Sequence, residues 1–492
     1  MKKLLTLSIT IFAVWAISTL IIGNQTEQEL ENYISKSNKL YATSGIHLKL
    51  LDYNKSFLHS NAQIELNVID PAIIKLFERD YNFPIKMDYT IEHGPLFFEN
   101  GIGFGLAKVK QHILLSSLFK EKAKKEFLEI LKDDVNLKMD VLISFSKEAD
   151  YKMISDEIKF NVENKSFLMT PLTIMGKSNL DSFKGTAIMN IEHIQVKEAN
   201  STNGLDVKNI KIDADIKEFL ENSLVFGDFG LSIENLIVKD NGNPQLSNID
   251  VSLHGTMHNK RTSENRMESI FEGDIDFQNT SLPDEFKSLK KVYLKMNLED
   301  LGIKGMLEFQ QSAQTMQEKQ GQLIAKIQTS SQEEMEAILI QLGTLQQEMM
   351  NQIIYSLNAL LIKDKTTIAY VLDIETKDTK RSKIMAKIGY TGDIEFKGTV
   401  EELTNKIQKQ VLSLISLNLD FNLNKSHLKF FPNAQSIEPQ IRMGVMQGFI
   451  RDNNSSYAIN ASYKNKELMV NDKNLTSTIL PLLMMATQMG AK

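Results

Sequence analysis

The chain has 492 residues, 42% of them hydrophobic and 24% charged, with a formal net charge of −6. This is the composition of a folded protein with room for roughly two to three domains or one elongated body, and its mild, interspersed acidity does not indicate a nucleic-acid partner. The absence of cysteine excludes a disulfide framework, thiol catalysis and thiolate metal sites.

Lys2 and Lys3 precede an uncharged apolar run from Leu4 to Ile22, and an acidic helical segment with Glu27, Glu29 and Glu31 follows. At about 1.5 Å per residue the run is long enough to span a hydrocarbon core. With the positive charges in front, the short tail stays cytoplasmic and the remainder faces outward. A cleavable signal peptide is the competing reading. A cut after the small residues Ala16 or Ser18 would leave Thr19 to Ile22 continuing the apolar run, and Ile21 suits a cut after Gly23 poorly. The expectation is an uncleaved signal anchor over 1–23, single-pass, in the inner membrane with the bulk on the periplasmic side. The later segment "ILPLLMMATQM" is too short to span.

Residues 24–41 read as a helical stalk. The block "YNKSFLHSNAQIELNV" (53–68) reads as a turn into a strand, with Tyr53, Phe57 and Leu58 stapling the stalk and Ile64, Leu66 and Val68 packing inward. A short helix is expected over 71–81. Alternation at Ile85–Ile91, Leu137–Phe145, Ile158–Val162, Leu205–Val207, Ile210–Ile216, Val292–Leu298, Leu417–Leu423 and Tyr457–Tyr463 predicts antiparallel strands with one buried face. Turns are expected at 241–244 and 452–455. Helices are expected over 113–131, 305–327, 332–362, 400–417 and 475–489. Within 332–362, Met335, Leu339, Leu342, Leu345, Met349 and Ile353 recur at three- and four-residue steps. Such a stripe is either core or an apolar groove for lipid, to which methionine is suited. The Gln/Met-rich stretch 310–350 sets a soft boundary near 300. It divides a stalk and strand-rich region (24–300) from a helix pair with a strand-rich C-terminal region (301–492), unless the two form one continuous domain.

Catalytic signatures are thin. His93-Gly94-Pro95 ends an alternating strand, and a strand-end residue before a tight Gly-Pro turn accounts for His93 as readily as a base does. His254 and His258 lie four apart in "LHGTMHNKR", which reads as a loop. "NGIGFGL" alternates its glycines like a strand with one bare face, unlike a phosphate-binding loop. Neither GxSxG nor HExxH occurs. No catalytic residue, metal or cofactor is expected.

The anchor, the block around Tyr53 and the His-Gly-Pro tripeptide together resemble the YdgA family of uncharacterised bacterial envelope proteins. Tyr53, Phe57, Ser60 and Ala62 fit its first block, with Lys55, Ser56 and Leu58 where arginine, glycine and phenylalanine are usual. His93, Gly94 and Pro95 are intact, and Asn471-Asp472-Lys473 stands where Asn-Gly-Lys is usual. The resemblance implies an inner-membrane-anchored periplasmic location and carries no activity. The layout is also similar to that of AsmA-like envelope proteins, which are associated with phospholipid movement. The expected fold is α+β: a transmembrane helix, then a large, mainly antiparallel body packed with a few long amphipathic helices. The expected function is non-enzymatic, binding or transferring lipid or another apolar envelope component. The alternative is an envelope scaffold that self-associates or tethers protein partners.

Overall fold

The computed structural model describes the chain except residues 1, 41–45, 69–73, 75–78, 98–102, 200, 221–223, 240–247, 279, 281, 283–285, 328–331, 393–396, 399–401, 404–405, 407–409, 411, 431–433 and 479–492. Some helical side chains are also outside the description, among them all those before residue 18. The chain divides into two compact units. The first comprises Met1–Ser201, Val207–Asp228 and Gln317–Leu342; the second comprises Thr202–Asp206, Phe229–Met316 and Gly343–Lys492.

Helix α1 (Lys2–Leu40) carries the apolar run and the stalk without a break. Among the described residues no helix is long and apolar enough to cross a membrane, and most side chains of the apolar run lie outside them. Strands β1 (Ile46–Lys55), β2 (His59–Val68), β3 (Ile85–His93), β4 (Leu96–Phe97), β5 (Gly103–Phe104) and β6 (Ala107–Leu114) follow. Then come α2 (Glu121–Leu131), β7 (Asn136–Ile143), β8 (Glu148–Ser155), β9 (Ile158–Val162), β10 (Lys165–Met169), β11 (Thr173–Asn179) and β12 (Gly185–Glu198). Apart from the small β4–β5 pair, these form an antiparallel meander in which sequence neighbours pair. β9 and β10 continue β8 and β11 as the far end of one long hairpin.

The period-2 pattern sorts this sheet into two faces. Pairing places Ala62, Tyr89, Gln111, Met139 and Met153 in one row, beside a second row of Ile91, Val109, Val141 and Tyr151. The reverse face carries Gln63, Asp88, Thr90, Lys110, Asp140 and Lys152. Helix α1 lies on the apolar face. Ile22, Gly23, Thr26, Ile34 and Ser37 are buried, and Leu30 packs against the cluster of Ala62, Ile91 and Ala107.

Strands β13 (Gly204–Leu220) and β14 (Leu224–Lys239) are each long and continuous. In the second unit β15 (Asn248–Ser263), β16 (Arg266–Phe277) and β17 (Leu289–Gly302) form successive antiparallel pairs. β17 runs into a pair of helices, α3 (Ile303–Ile327) and α4 (Gln332–Leu360), before β18 (Thr367–Thr376) returns beside it. β19 (Arg381–Tyr390), β20 (Ile415–Asn424), helix α5 (Ala434–Met446), β21 (Arg451–Asp452), β22 (Ser456–Lys464), β23 (Glu467–Val470) and β24 (Lys473–Asn474) complete it.

Several expectations are revised. Ile113 belongs to β6, and the helix starts at Glu121 after a 3-10 turn. The segments 205–207 and 210–216 are one strand, and the stretch around His254 and His258 is strand β15. The turn at 241–244 and most of the helices expected over 71–81 and 475–489 lie outside the described residues. The helix expected over 400–417 is described in part: 402–403, 406, 410 and 412–414 are helical, but residues 415–417 belong to β20, whose alternation begins at Ile415.

The departures from glycine at 56 and 472 have local explanations. Ser56 closes the β1–β2 turn by donating both N–H and Oγ–H to the His59 carbonyl, at 2.8 and 2.6 Å. Asn471 and Asp472 take φ of +48° and +67°, the left-handed region that Asn and Asp tolerate best after glycine. Asn471 also accepts from the Asn460 N–H at 3.0 Å and donates to the Phe449 carbonyl at 2.9 Å. Replacing Asn471 with alanine strands both groups at a left-handed position. It should lower stability by about 2–4 kcal/mol in denaturant unfolding.

Candidate functional site

Two features stand out: a buried polar cluster under α1, and an apolar sheet face in the second unit. The cluster is built by the N-terminal blocks. Tyr53 pairs with Ala62 and Lys55 with Ser60 across β1–β2, and Ser60 pairs with Ile91 on β3, so Tyr53, Ser60, Ala62 and His93 share the helix-facing side. Ser60 Oγ and His93 Nε2 are 2.8 Å apart, and both residues are buried. His93 Nδ1 has no hydrogen-bond partner, and Tyr53 Oη forms none although Ser60 and Thr26 lie beside it. Gly23 of α1 sits on the imidazole. A Cβ there would come within 3.2 Å of His93 Cδ2 and 3.3 Å of Lys55 Cε, so a larger residue would crowd both side chains.

Gly94 is required for a similar reason, because a Cβ there would overlap the Gly105 carbonyl oxygen. The Gly94-Pro95 peptide is cis, Gly94 N–H bonds Leu106 O at 2.9 Å, and Gly105 N–H bonds Pro95 O at 3.2 Å. The tripeptide thus ends β3 and seats the connection to β6. Phe57 and Leu58 depart from expectation. They occupy the exposed tip of the β1–β2 hairpin, while Tyr53 meets the helix-facing core.

A serine hydroxyl on an imidazole has the distance of a nucleophile–base pair. Here the pair is buried, and no carboxylate orients Nδ1. Burial pushes His93 below its ordinary value of 6.5, helped by the charges of Lys55 and His59. The neutral ring joins β3 to β2 through Ser60 and packs against Gly23 of α1, a latch in shape between helix and sheet.

At the far end of α1, Asn38 donates to the Leu48 carbonyl and accepts from the Leu48 N–H, each at 2.8 Å, occupying the open edge of β1. Lys147 bridges Glu29 and Asp181 at 3.1 and 3.3 Å, and Tyr33 stacks on Phe183 at 5.5 Å.

The stripe on α4 divides. Leu345 is buried, Leu342, Met349 and Ile353 are half-buried, and Met335 and Leu339 are exposed. Its C-terminal part is core, since Ile354 packs with Leu403 and Leu414, flanked by Leu357.

The open surface lies on the sheet. Met257, Phe271, Met296, Tyr370, Ala386, Leu419 and Ala461 form one row across β15–β22. Gly255, Gly273, Leu294, Leu372, Ile384, Phe421 and Ile459 form the next. At about 4.8 Å per strand each row extends about 29 Å. The reverse face carries His254, Asp274, Tyr293, Asp373, Lys383 and Asn422, with ion pairs such as Lys295–Glu272 and Lys291–Asp274. The apolar face is closed at one end, where Leu423, Tyr457 and His427 are buried and His427 Nδ1 meets Ser382 Oγ at 2.7 Å. Its middle is open: Met257, Phe271, Ile275, Leu294 and Tyr370 are each 38–41% exposed. A shallow cavity of about 340 Å³ is lined by the Tyr370, Ala386, Leu419 and Ala461 row and its chain neighbours. Alternation in the sequence predicts one-sided strands here at 292–298, 417–423 and 457–463 but not β15, β16, β18 or β19, and it does not show that the middle of this face is open while the C-terminal part of the helix stripe supplies core.

Two histidines set an acid response. His93 and His427 are both held below 6.5, chiefly by burial, so the folded chain binds fewer protons than the unfolded chain. Their stabilisation is complete above the unfolded value and is lost as pH falls below it toward the folded values. Urea unfolding of the full chain should show stability falling through that window, with a shallower fall in His93→Gln. His93→Ala, which empties the site and orphans the Ser60 hydroxyl, should cost about 2–4 kcal/mol at neutral pH.

Neither a curated protein nor a solved structure matches the chain. A family described as bacterial protein of unknown function, DUF945, matches residues 1–477. That span takes in nearly all of the 492 residues, and the chain belongs to the DUF945 family of bacterial proteins.

Proposed function

We propose that this is a YdgA-like, single-pass inner-membrane protein whose periplasmic part binds or transfers lipid or another apolar envelope component. The open apolar face of the second unit carries the reading. Large contiguous apolar patches on soluble surfaces mark interaction sites. This one combines flexible methionine, aromatic rings and small residues without a charged side chain in either row. A row about 29 Å long exceeds the half-thickness of a ~30 Å hydrocarbon core, so it accommodates one extended acyl chain. Anchoring rests on the Lys2-Lys3 pair and the uncharged Leu4–Ile22 run.

Photo-crosslinking in cells tests the reading. A benzophenone side chain at Phe271 or Tyr370 should form adducts with labelled phospholipid, whereas one at Tyr293, on the polar face, should not. Protein adducts alone would support the scaffold reading, and no lipid adduct at either apolar position would end the lipid proposal. Because these side chains are already partly exposed, Leu294→Glu should cost no more than about 1 kcal/mol of stability while abolishing the adduct.

A further inference from the structure

The end of the first sheet beside Gly23 exposes apolar side chains that its core does not use. The hairpin tip carries Phe57 and Leu58, 41% and 48% exposed, and Phe104 of β5 is 68% exposed. All three lie at one place in the fold. The β1–β2 turn and the β3–β6 connection are at the same end of the meander, because β1 and β3 both run toward it. His93 ties them to the helix: its N–H bonds the Leu58 carbonyl at 2.9 Å, and its ring lies against Gly23. Gly94, the next residue, holds the 103–106 connection through Leu106. Gly23 is also the residue at which the apolar run Leu4–Ile22 ends.

The latch therefore fixes this apolar rim at the level where the helix changes from apolar to acidic sequence. We infer that the rim of Leu58, Phe57 and Phe104 is a membrane-contact surface, seated in the headgroup–acyl boundary of the bilayer that holds α1. Aromatic and aliphatic side chains at that boundary gain burial without a protein partner. Lys55 flanks the same β1–β2 turn, and a cation at that level suits anionic headgroups. The rim fixes the tilt of the first sheet on its anchor, since one helix alone leaves it free to pivot. The inference rests on the anchoring part of the proposed function and is independent of lipid binding by the second unit.

The chain has a single tryptophan, Trp15, inside the apolar run. The full-length protein, reconstituted in nanodiscs with lipids brominated on the acyl chains, provides the test. Trp15 emission in the parent chain reads anchoring. In a Trp15→Phe background, Phe104→Trp and Leu58→Trp read the rim, and Val162→Trp, at the opposite end of the meander and 41% exposed, is the control. The expected result is quenching of the parent and of both rim variants, with the control unquenched. Quenching of Trp15 without quenching at 104 or 58 would overturn the rim and leave the anchor standing. Equal quenching at 162 would overturn it as non-specific lipid contact. An unquenched Trp15 would remove the anchor and the rim together. Leu58→Trp covers the case in which Phe104→Trp fails to fold.

Discussion

A strand turns alternate side chains to opposite faces, so a sheet written in period 2 acquires one whole apolar face, and the rest of this architecture follows from what covers it. The first unit covers its face with the chain's own N-terminal helix, burying Ala62, Ile91 and Ala107 beneath Leu30 and its neighbours. The second closes the end around Leu423 and Tyr457 and leaves the middle exposed. Full burial of a large apolar side chain is worth about 1.5–3 kcal/mol, so each of five residues left near 40% exposed forgoes about 1 kcal/mol. Both faces arise from the same alternation, and the difference between them is whether a helix lies on them.

Apolar contact is non-directional, and by itself it would let a helix slide or roll on a greasy face. Three features remove that freedom. Gly23 makes a notch filled by the His93 ring and the Lys55 side chain, the Ser60–His93 pair fixes that ring, and Asn38 clasps the edge of β1 at Leu48. Buried polar groups with defined partners specify an arrangement more than they stabilise it. Residues of the two N-terminal sequence blocks, His93 and Lys55 against Gly23 and Tyr53 beside Leu30, meet α1 directly, so the blocks have a structural use.

Much of this was legible because period and pairing agree. The strands at 85–91, 158–162, 417–423 and 457–463, the helix pair near 305–327 and 332–362, and the antiparallel α+β character all follow from alternation and helical spacing. The errors have physical causes. Ile113 continues the alternation of β6, and only the 3-10 turn after Leu114 separates it from the helix at Glu121. Helix α5 was missed because Pro439 sits inside it and breaks the expected pattern. Phe57 and Leu58 read as a staple onto the stalk because they are apolar, yet they sit exposed at a hairpin tip. The Ser60–His93 pair joins residues 33 apart in sequence and was invisible until β2 and β3 were placed in register. The open face was unreadable for the same reason: alternation tells which residues share a face and says nothing of what lies on it.

The chemistry of that face bears on which occupant suits it. A protein partner is usually held by a few anchors within a polar rim that supplies directional hydrogen bonds. Across these rows, glycine and alanine at 255, 273, 386 and 461 alternate with the bulk of Phe271, Leu294, Tyr370 and Leu419. The result is shallow relief with side-chain polarity limited to the Tyr370 hydroxyl. Charges such as Glu272, Lys295 and Asp373 are all on the other side of the sheet. Such a surface binds an acyl chain without fixing its register, because every position along a row offers similar contact. Weak discrimination along the row is a poor basis for a specific protein interface and a good one for movement of an apolar ligand.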